Sequence, residues 1–364
     1  MMIDRQLFRE FDWLLLGLVL LLSLTGAFFI YSSSHFLPGN YCLRQIIWIG
    51  ISLIALFLVA AVDYKFLVAF SIYFYGLIVA LLAVSLLLVR LIAGTKSWIR
   101  LGIMQFQPSE LAKIVTILVL ARLFAEYKGR FLSLRAAGLA LLLAGIPLVL
   151  VIVQPDLGTA LTMSIVVAAA FIMAGLKRKT IILFLALALV IGVGGWNFGL
   201  KDYQKKRLTT LVNPGRDVRG SGYQIMQSKI AIGSGGLAGK GFMKGSQSQL
   251  RFLPARHTDF IFSVIGEEFG FLGVTAVLLV YGLMLARMFW SVTKARDRAG
   301  AYIVFMASML IAGQALINIL MIIGLFPVTG VPLPFLSYGG SSLLSNYVAC
   351  GLILNVRMRR FANV

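Results

Sequence analysis

Apolar residues run along this chain in blocks of spanning or near-spanning length. They lie at about 13–32, 46–62, 66–89, 110–124, 136–153, 159–175, 181–199, 271–291, 301–325 and 337–356. A helix rises about 1.5 Å per residue, so roughly 20 apolar residues cross a hydrocarbon layer about 30 Å thick. The pattern predicts an all-α polytopic membrane protein of ten transmembrane helices, residues 1–364 forming a single transmembrane domain. The fourth block is short and opens on charged residues. A long polar insert, residues 200–258, separates the seventh and eighth spans. Tyr203, Tyr223, Ile225, Met226, Ile230, Leu237 and Phe242 punctuate it. A loop of this length is more often functional than idle.

The basic residues orient the spans. With the N-terminus inside, successive inner loops hold Lys65, then Arg122, Lys128, Arg130 and Arg135, then Lys177, Arg178 and Lys179, then Lys294, Arg296 and Arg298. The tail adds Arg357, Arg359 and Arg360, while the short outer loops hold only Arg44, Arg90, Lys96 and Arg100. Cationic loops stay on the cytoplasmic side, so both termini are expected there and the insert outside, as long loops allow. Arg5 and Arg9 precede an apolar run too long for a signal-peptide core, which predicts an uncleaved first span. No internal repeat is evident, which weakens an inverted-repeat transporter.

Composition agrees: 60% of the residues are hydrophobic, 13% are charged and the net charge is +20. Mean hydropathy is +0.94. Such a charge suits anionic headgroups or an anionic substrate. Bases scattered between apolar spans argue against nucleic acid. Cys42 and Cys350 lie in different predicted environments, an outer loop and the last span, and have no metal-ligand company. The only histidines are His35 and His257, which excludes a histidine-built zinc site.

Several polar stretches carry candidate chemistry. Phe252 to Phe262 closes the insert and holds His257 and Asp259. Thr258 as N-cap would place Asp259 in a first helical turn. The dipole there favours the anion, whereas partial burial would raise its pKa toward that of a general base. Pro108-Ser109-Glu110-Leu111-Ala112-Lys113 reads as a helix start with Ser109 as cap. Glu110 and Lys113 share one face, either as a structural ion pair or as a pair lining a substrate cavity. Asp156, in Gln154-Pro155-Asp156-Leu157-Gly158-Thr159, would organise an outer turn, cap the next helix, or join a site built by the insert. Ile232 to Gly241 has a Walker-like look. Ser234 occupies the first glycine position, Gly241 replaces the Ser/Thr that would hold magnesium, and no strand precedes it. It is either a flexible turn-rich loop or a set of amides that, with Lys240 and Lys244, contacts a diphosphate. Glu267 and Glu268 are expected at the water interface or at a helix break. The charge-free, proline-rich tract from Phe326 to Phe335 is either a re-entrant or lipid-fitting loop, or a plain connector.

Taken together, these tracts resemble the SEDS (shape, elongation, division and sporulation) family of cell-wall proteins, and within it the RodA type. The likeness covers nearly the whole chain. It rests on Phe106 to Lys113, Gln154 to Thr159, Gln227 to Gly236, His257 to Phe262 and Gly330 to Ser341. Gln247 to Pro254 looks more like RodA than like its division-specific relative FtsW. The resemblance implies a ten-helix peptidoglycan glycosyltransferase of the bacterial cytoplasmic membrane that polymerises lipid II on its outer face during elongation and rod-shape maintenance. A class B penicillin-binding protein and other elongation-complex membrane proteins would be its partners. The family's essential aspartate maps to Asp259, and Glu110, Lys113 and Asp156 match other functional positions. Ala255 stands where members often carry an acid, which puts that carboxylate's role in doubt here. In the expected reaction Asp259 is the general base. Lys113, basic residues of the insert or a divalent cation (Mg or Mn) would stabilise the diphosphate leaving group, although no cofactor is evident from sequence. The alternatives are a lipid II flippase and a scaffold that only activates the penicillin-binding protein. Candidate residues cluster at the outer face rather than along a transmembrane path, which favours the enzyme.

Overall fold

The protein is described by a computed structural model covering residues 10–88, 97–101, 104–127, 129, 132–176, scattered positions between 180 and 217, and 220–361. The helices in order are α1 (Trp13–Ser34), α2 (Tyr41–Ala61), α3 (Tyr64–Ala69), α4 (Ser71–Leu88), α5 (Pro108–Glu126), α6 (Leu134–Val153) and α7 (Leu157–Ala174). Then come α8 (Ser221–Ser234), α9 (Ser246–Gln249), α10 (Ile261–Val292), α11 (Arg298–Ile322) and α12 (Gly340–Met358). Among the described residues α1, α2, α6, α7, α10 and α11 are long and apolar enough to cross a membrane. The predicted runs in α4, α5 and α12 are also helical, and the run at 181–199 lies largely outside the described residues. The third run is two helices, α3 and α4, parted at Phe70 (φ −89°, ψ 2°), and Asp63 caps the first by accepting from Lys65 N at 2.8 Å. The all-α class holds, with one short addition between α4 and α5. Ile99–Leu101 and Met104–Phe106 form a two-stranded antiparallel hairpin, β1 and β2, with Ile99 opposite Phe106.

α11 is the core helix. It packs on α5, α7, α10 and α12, and α2 lies along α12. Small residues allow the close crossings, as where Gly351 faces the Leu56 backbone. One end of the bundle is tied by charge. Buried Asp12 caps α1 through Leu15 N and receives Arg287 at 2.9 Å and Arg357 at 2.5 Å.

α10 starts ten residues before its predicted apolar run and breaks at Gly270, whose φ of 63° and ψ of −156° are non-helical. A break strands backbone groups that a continuous helix would pair, and buried orphans are costly. The glycine-rich loop after α8 takes them up. Lys240 N donates to Glu267 O, Gly241 N to Glu268 O, Phe271 N to Gly236 O and Leu272 N to Leu237 O, at 2.8–3.1 Å. At Gly239 (φ 80°) a Cβ would collide with the Glu268 backbone, so the clasp needs glycine there. The loop is a backbone clasp on the break, and its amides at 240 and 241 are paired with α10 carbonyls. Glu267 and Glu268 do mark the break, but both are buried rather than at a water interface. Gly239→Val is expected to destabilise the protein by about 2 kcal/mol or more, read as a lowered melting temperature in detergent.

The insert is tied to the end of α1. Gln249 and Arg256 donate to the carbonyls of Ser32 and Ser33, which the helix end leaves without intrahelical partners, and Arg251 donates to Phe36 O just beyond it.

Candidate active site

The N-terminal ends of α2, α5, α7 and α12, and the segment leading into α10, face one cavity of about 1380 Å³. Its walls include Tyr41, Arg44, Trp48, Trp98, Gln107, Glu110, Lys113, Asp156, Thr159, Asp259, Gln314 and Tyr338. Helix N-termini carry unpaired N–H groups and the positive end of the dipole, so a cavity ringed by them favours an anion. Arg44 and Lys113 add full charges, and the aromatic rings add apolar surface.

Asp259 is held by its backbone. The Asn318 amide donates both to Asp259 O at 2.9 Å and to Val331 O at 2.8 Å, clamping the aspartate segment to the proline-rich loop. Tyr338 N donates to His257 O, and the Ser337 hydroxyl donates to Thr258 O. Thr258 does not cap α10: its hydroxyl turns back to Ala255 O, and the helix begins at Ile261 after Phe260. Asp259 therefore lies before the helix, not in its first turn. Gly330, at φ 71°, lets the loop backbone approach the carboxylate. A Cβ there would lie 3.7 Å from Asp259 Oδ2.

Glu110 and Lys113 form an ion pair at 2.7 Å, both nearly inaccessible, at the start of α5. Pro108 occupies the first turn and Gln107, not Ser109, is the cap residue. Asp156 performs two of the anticipated roles, sitting in the turn and capping α7, and it also lines the cavity, to which the described residues of the insert contribute only Thr258. Its carboxylate accepts from Thr159 N at 3.1 Å, the Thr159 hydroxyl at 3.0 Å and the Gln107 amide at 2.6 Å. Gln107 N in turn binds the Ser341 hydroxyl, joining α5, α7 and α12. With three donors already in place, Asp156 is better suited to bracing the wall than to moving a proton.

Lys240 and Lys244 do not line the cavity. Lys240 bonds to buried Glu267 at 2.8 Å, because that carboxylate lies beneath the clasp and needs a counter-charge. Glu267 also accepts from Gln247 N and Ser248 N, while Lys244 points outward. Sequence reasoning gave no role to Arg44, Gln107, Asn318 or Tyr338. Arg44 counted only toward topology, and the others are polar residues whose partners are remote in sequence. No group of three or more His, Cys, Asp or Glu side chains that could hold a metal ion is found among the described residues.

His257 sits between Tyr41 and Tyr338, ring centroids 4.8 and 5.8 Å away. Burial, and secondarily the Arg256 charge, lower its pKa from 6.5 to about 4. Between those two values the unfolded chain binds a proton that the folded chain does not, so stability falls as pH drops through this window. Acidifying from pH 7 to 5 is expected to cost up to about 2 kcal/mol. A His257→Gln variant should lack this slope in melting temperature against pH.

This is a polytopic membrane protein with a charged cavity at one end of its helix bundle. The family described as "Cell cycle protein", which groups FtsW, RodA and SpoVE, matches residues 7–361, and the chain belongs to it. It is 37% identical over 317 residues to the peptidoglycan glycosyltransferase MrdB of Escherichia coli (strain K12), covering 87% of this chain and 85% of MrdB. It is 36% identical to stage V sporulation protein E of Bacillus subtilis (strain 168), covering 95% and 96%. Among solved structures, one chain of a peptidoglycan synthase complex that coordinates polymerization and crosslinking superposes with a TM-score of 0.83 at 34% identity, covering 97% and 99%. The rod shape determining protein RodA of Thermus thermophilus gives 0.72 at 31%, covering 97% and 98%.

Proposed function

We propose that this chain, a peptidoglycan glycosyltransferase of the SEDS family, polymerises lipid II into glycan strands on the outer face of the bacterial cytoplasmic membrane. It does so during cell elongation, in company with a class B penicillin-binding protein. The observation that carries the reading is the cavity, where Asp259, the Glu110–Lys113 pair and Arg44 meet beneath a ring of helix N-termini. The ten-helix topology with both termini in the cytoplasm belongs to the same proposal. The cavity-facing helix starts lie on the side that the base-poor loops assign to the outside. The similarity to a chain of a synthase complex supports the partner.

In the proposed reaction the Asp259 carboxylate takes the proton of the 4-hydroxyl of an incoming lipid II. That oxygen attacks C1 of the chain's lipid-linked sugar, and the bond from C1 to the diphosphate oxygen breaks with inversion. Undecaprenyl diphosphate leaves, and Lys113, Arg44 and the N-terminal amides stabilise its charge. Asp156 and Gln107 hold the wall in place.

The test is glycan formation from purified lipid II by this protein together with its penicillin-binding partner, the partner inactivated at its transpeptidase serine. Polymer is expected. Lipid II crossing liposomes without polymer would replace the reading by a flippase. Restored rod shape in cells lacking their elongation polymerase, with no rescue of a division defect, is the expected outcome for the elongation role.

A further inference from the structure

The opposite end of the bundle carries a second charged feature that the cavity does not use. Trp290, near the end of α10, is 44% exposed. Three cations surround its indole: Arg287 at 4.9 Å, Lys294 at 5.0 Å and Arg357 at 5.0 Å from the ring centre. Asp12 is the carboxylate that fixes two of them, Arg287 and Arg357. Lys294 forms no ion pair among the described residues. Three cations against one carboxylate leave an excess of two positives, with two of the cations fixed by buried Asp12 and Lys294 placed over the indole.

The same helix face continues as hydrocarbon. Leu279 and Leu283 are 63% and 62% exposed. With Arg287 and Trp290 they follow at spacings of four, four and three residues, one stripe along α10, and Lys294 lies in the turn just past its end, 5.0 Å from the indole. An apolar track that ends in an indole and a fixed group of cations has the shape of a phospholipid, acyl chains first and anionic headgroup last. Tryptophan prefers the headgroup level, and each cation near the surface attracts anionic lipid.

We propose that Arg287, Trp290, Lys294 and Arg357 form a headgroup site for an anionic phospholipid whose acyl chains lie on Leu279 and Leu283. The lipid phosphate sits against the Lys294 ammonium and the outer edge of the Arg287 guanidinium. It relieves the repulsion among three cations that share one ring. This site is independent of the glycan chemistry and lies at the cytoplasmic end of α10 under the positive-inside orientation.

The experiment is native mass spectrometry of the full chain, titrated with phosphatidylglycerol or with phosphatidylcholine. Phosphatidylglycerol should be retained preferentially. Lys294→Gln should weaken it roughly fivefold, whereas Lys294→Arg should keep the wild-type value. Arg135→Gln, at an exposed base elsewhere on the same side, should leave retention unchanged. Equal losses in Lys294→Gln and Arg135→Gln would mean diffuse attraction and overturn the site, as would loss in Lys294→Arg. Full displacement by millimolar inorganic phosphate would identify a soluble anion as the occupant and overturn the lipid assignment.

Discussion

Asp259→Asn is expected to lower glycan polymerisation by roughly 10²–10⁴-fold, the usual worth of a positioned general base. The protein should fold as before. The segment is anchored by main-chain groups: Asp259 O and Val331 O through Asn318, His257 O through Tyr338, and Thr258 O through Ser337. None of these bonds uses the carboxylate, so the isosteric amide leaves the loop seated while removing the base. Asp259→Glu should also lower the rate, because the added methylene moves the carboxylate away from the position of a well-placed base. The readout is lipid II polymer on gels with the transpeptidase-dead partner, beside melting curves. Near-normal polymer from a folded Asp259→Asn protein would end the general-base assignment. Polymer that also vanishes in Asn318→Ala, with the melting curve lowered, would instead report loss of the clamp.

Breaking the Glu110–Lys113 pair is the second large effect. Glu110→Ala leaves a buried ammonium with its partner gone, which costs about 3–5 kcal/mol in comparable sites. A fall of several degrees in melting temperature is expected. The double change Glu110→Gln with Lys113→Met removes both charges at similar volume and should restore most of that stability. Polymerisation separates the two roles the sequence left open. If the pair only ties α5 into the bundle, the double variant works. If Lys113 meets the diphosphate, the double variant is stable and inactive. The second result is expected, because both residues line the cavity wall as well as each other.

The sequence by itself determined the membrane class, nine of the described helical runs and the shared face of Glu110 and Lys113. Each depends on local pattern: a run of apolar residues must be helical in lipid, and residues three apart share a helix face. The Asp156 cap was legible for the same reason. The tertiary structure alone decided that Gln107 reaches Asp156 across 49 positions and that Asn318 fastens Asp259. It also turned Lys240 to Glu267 instead of the cavity. The glycine-rich loop misleads for a physical reason. Glycines that allow a phosphate to approach a backbone equally allow another backbone to approach, and only the broken helix at Gly270 shows which one is there. Pattern along the chain reports what each segment needs. The packed bundle decides which remote partner supplies it.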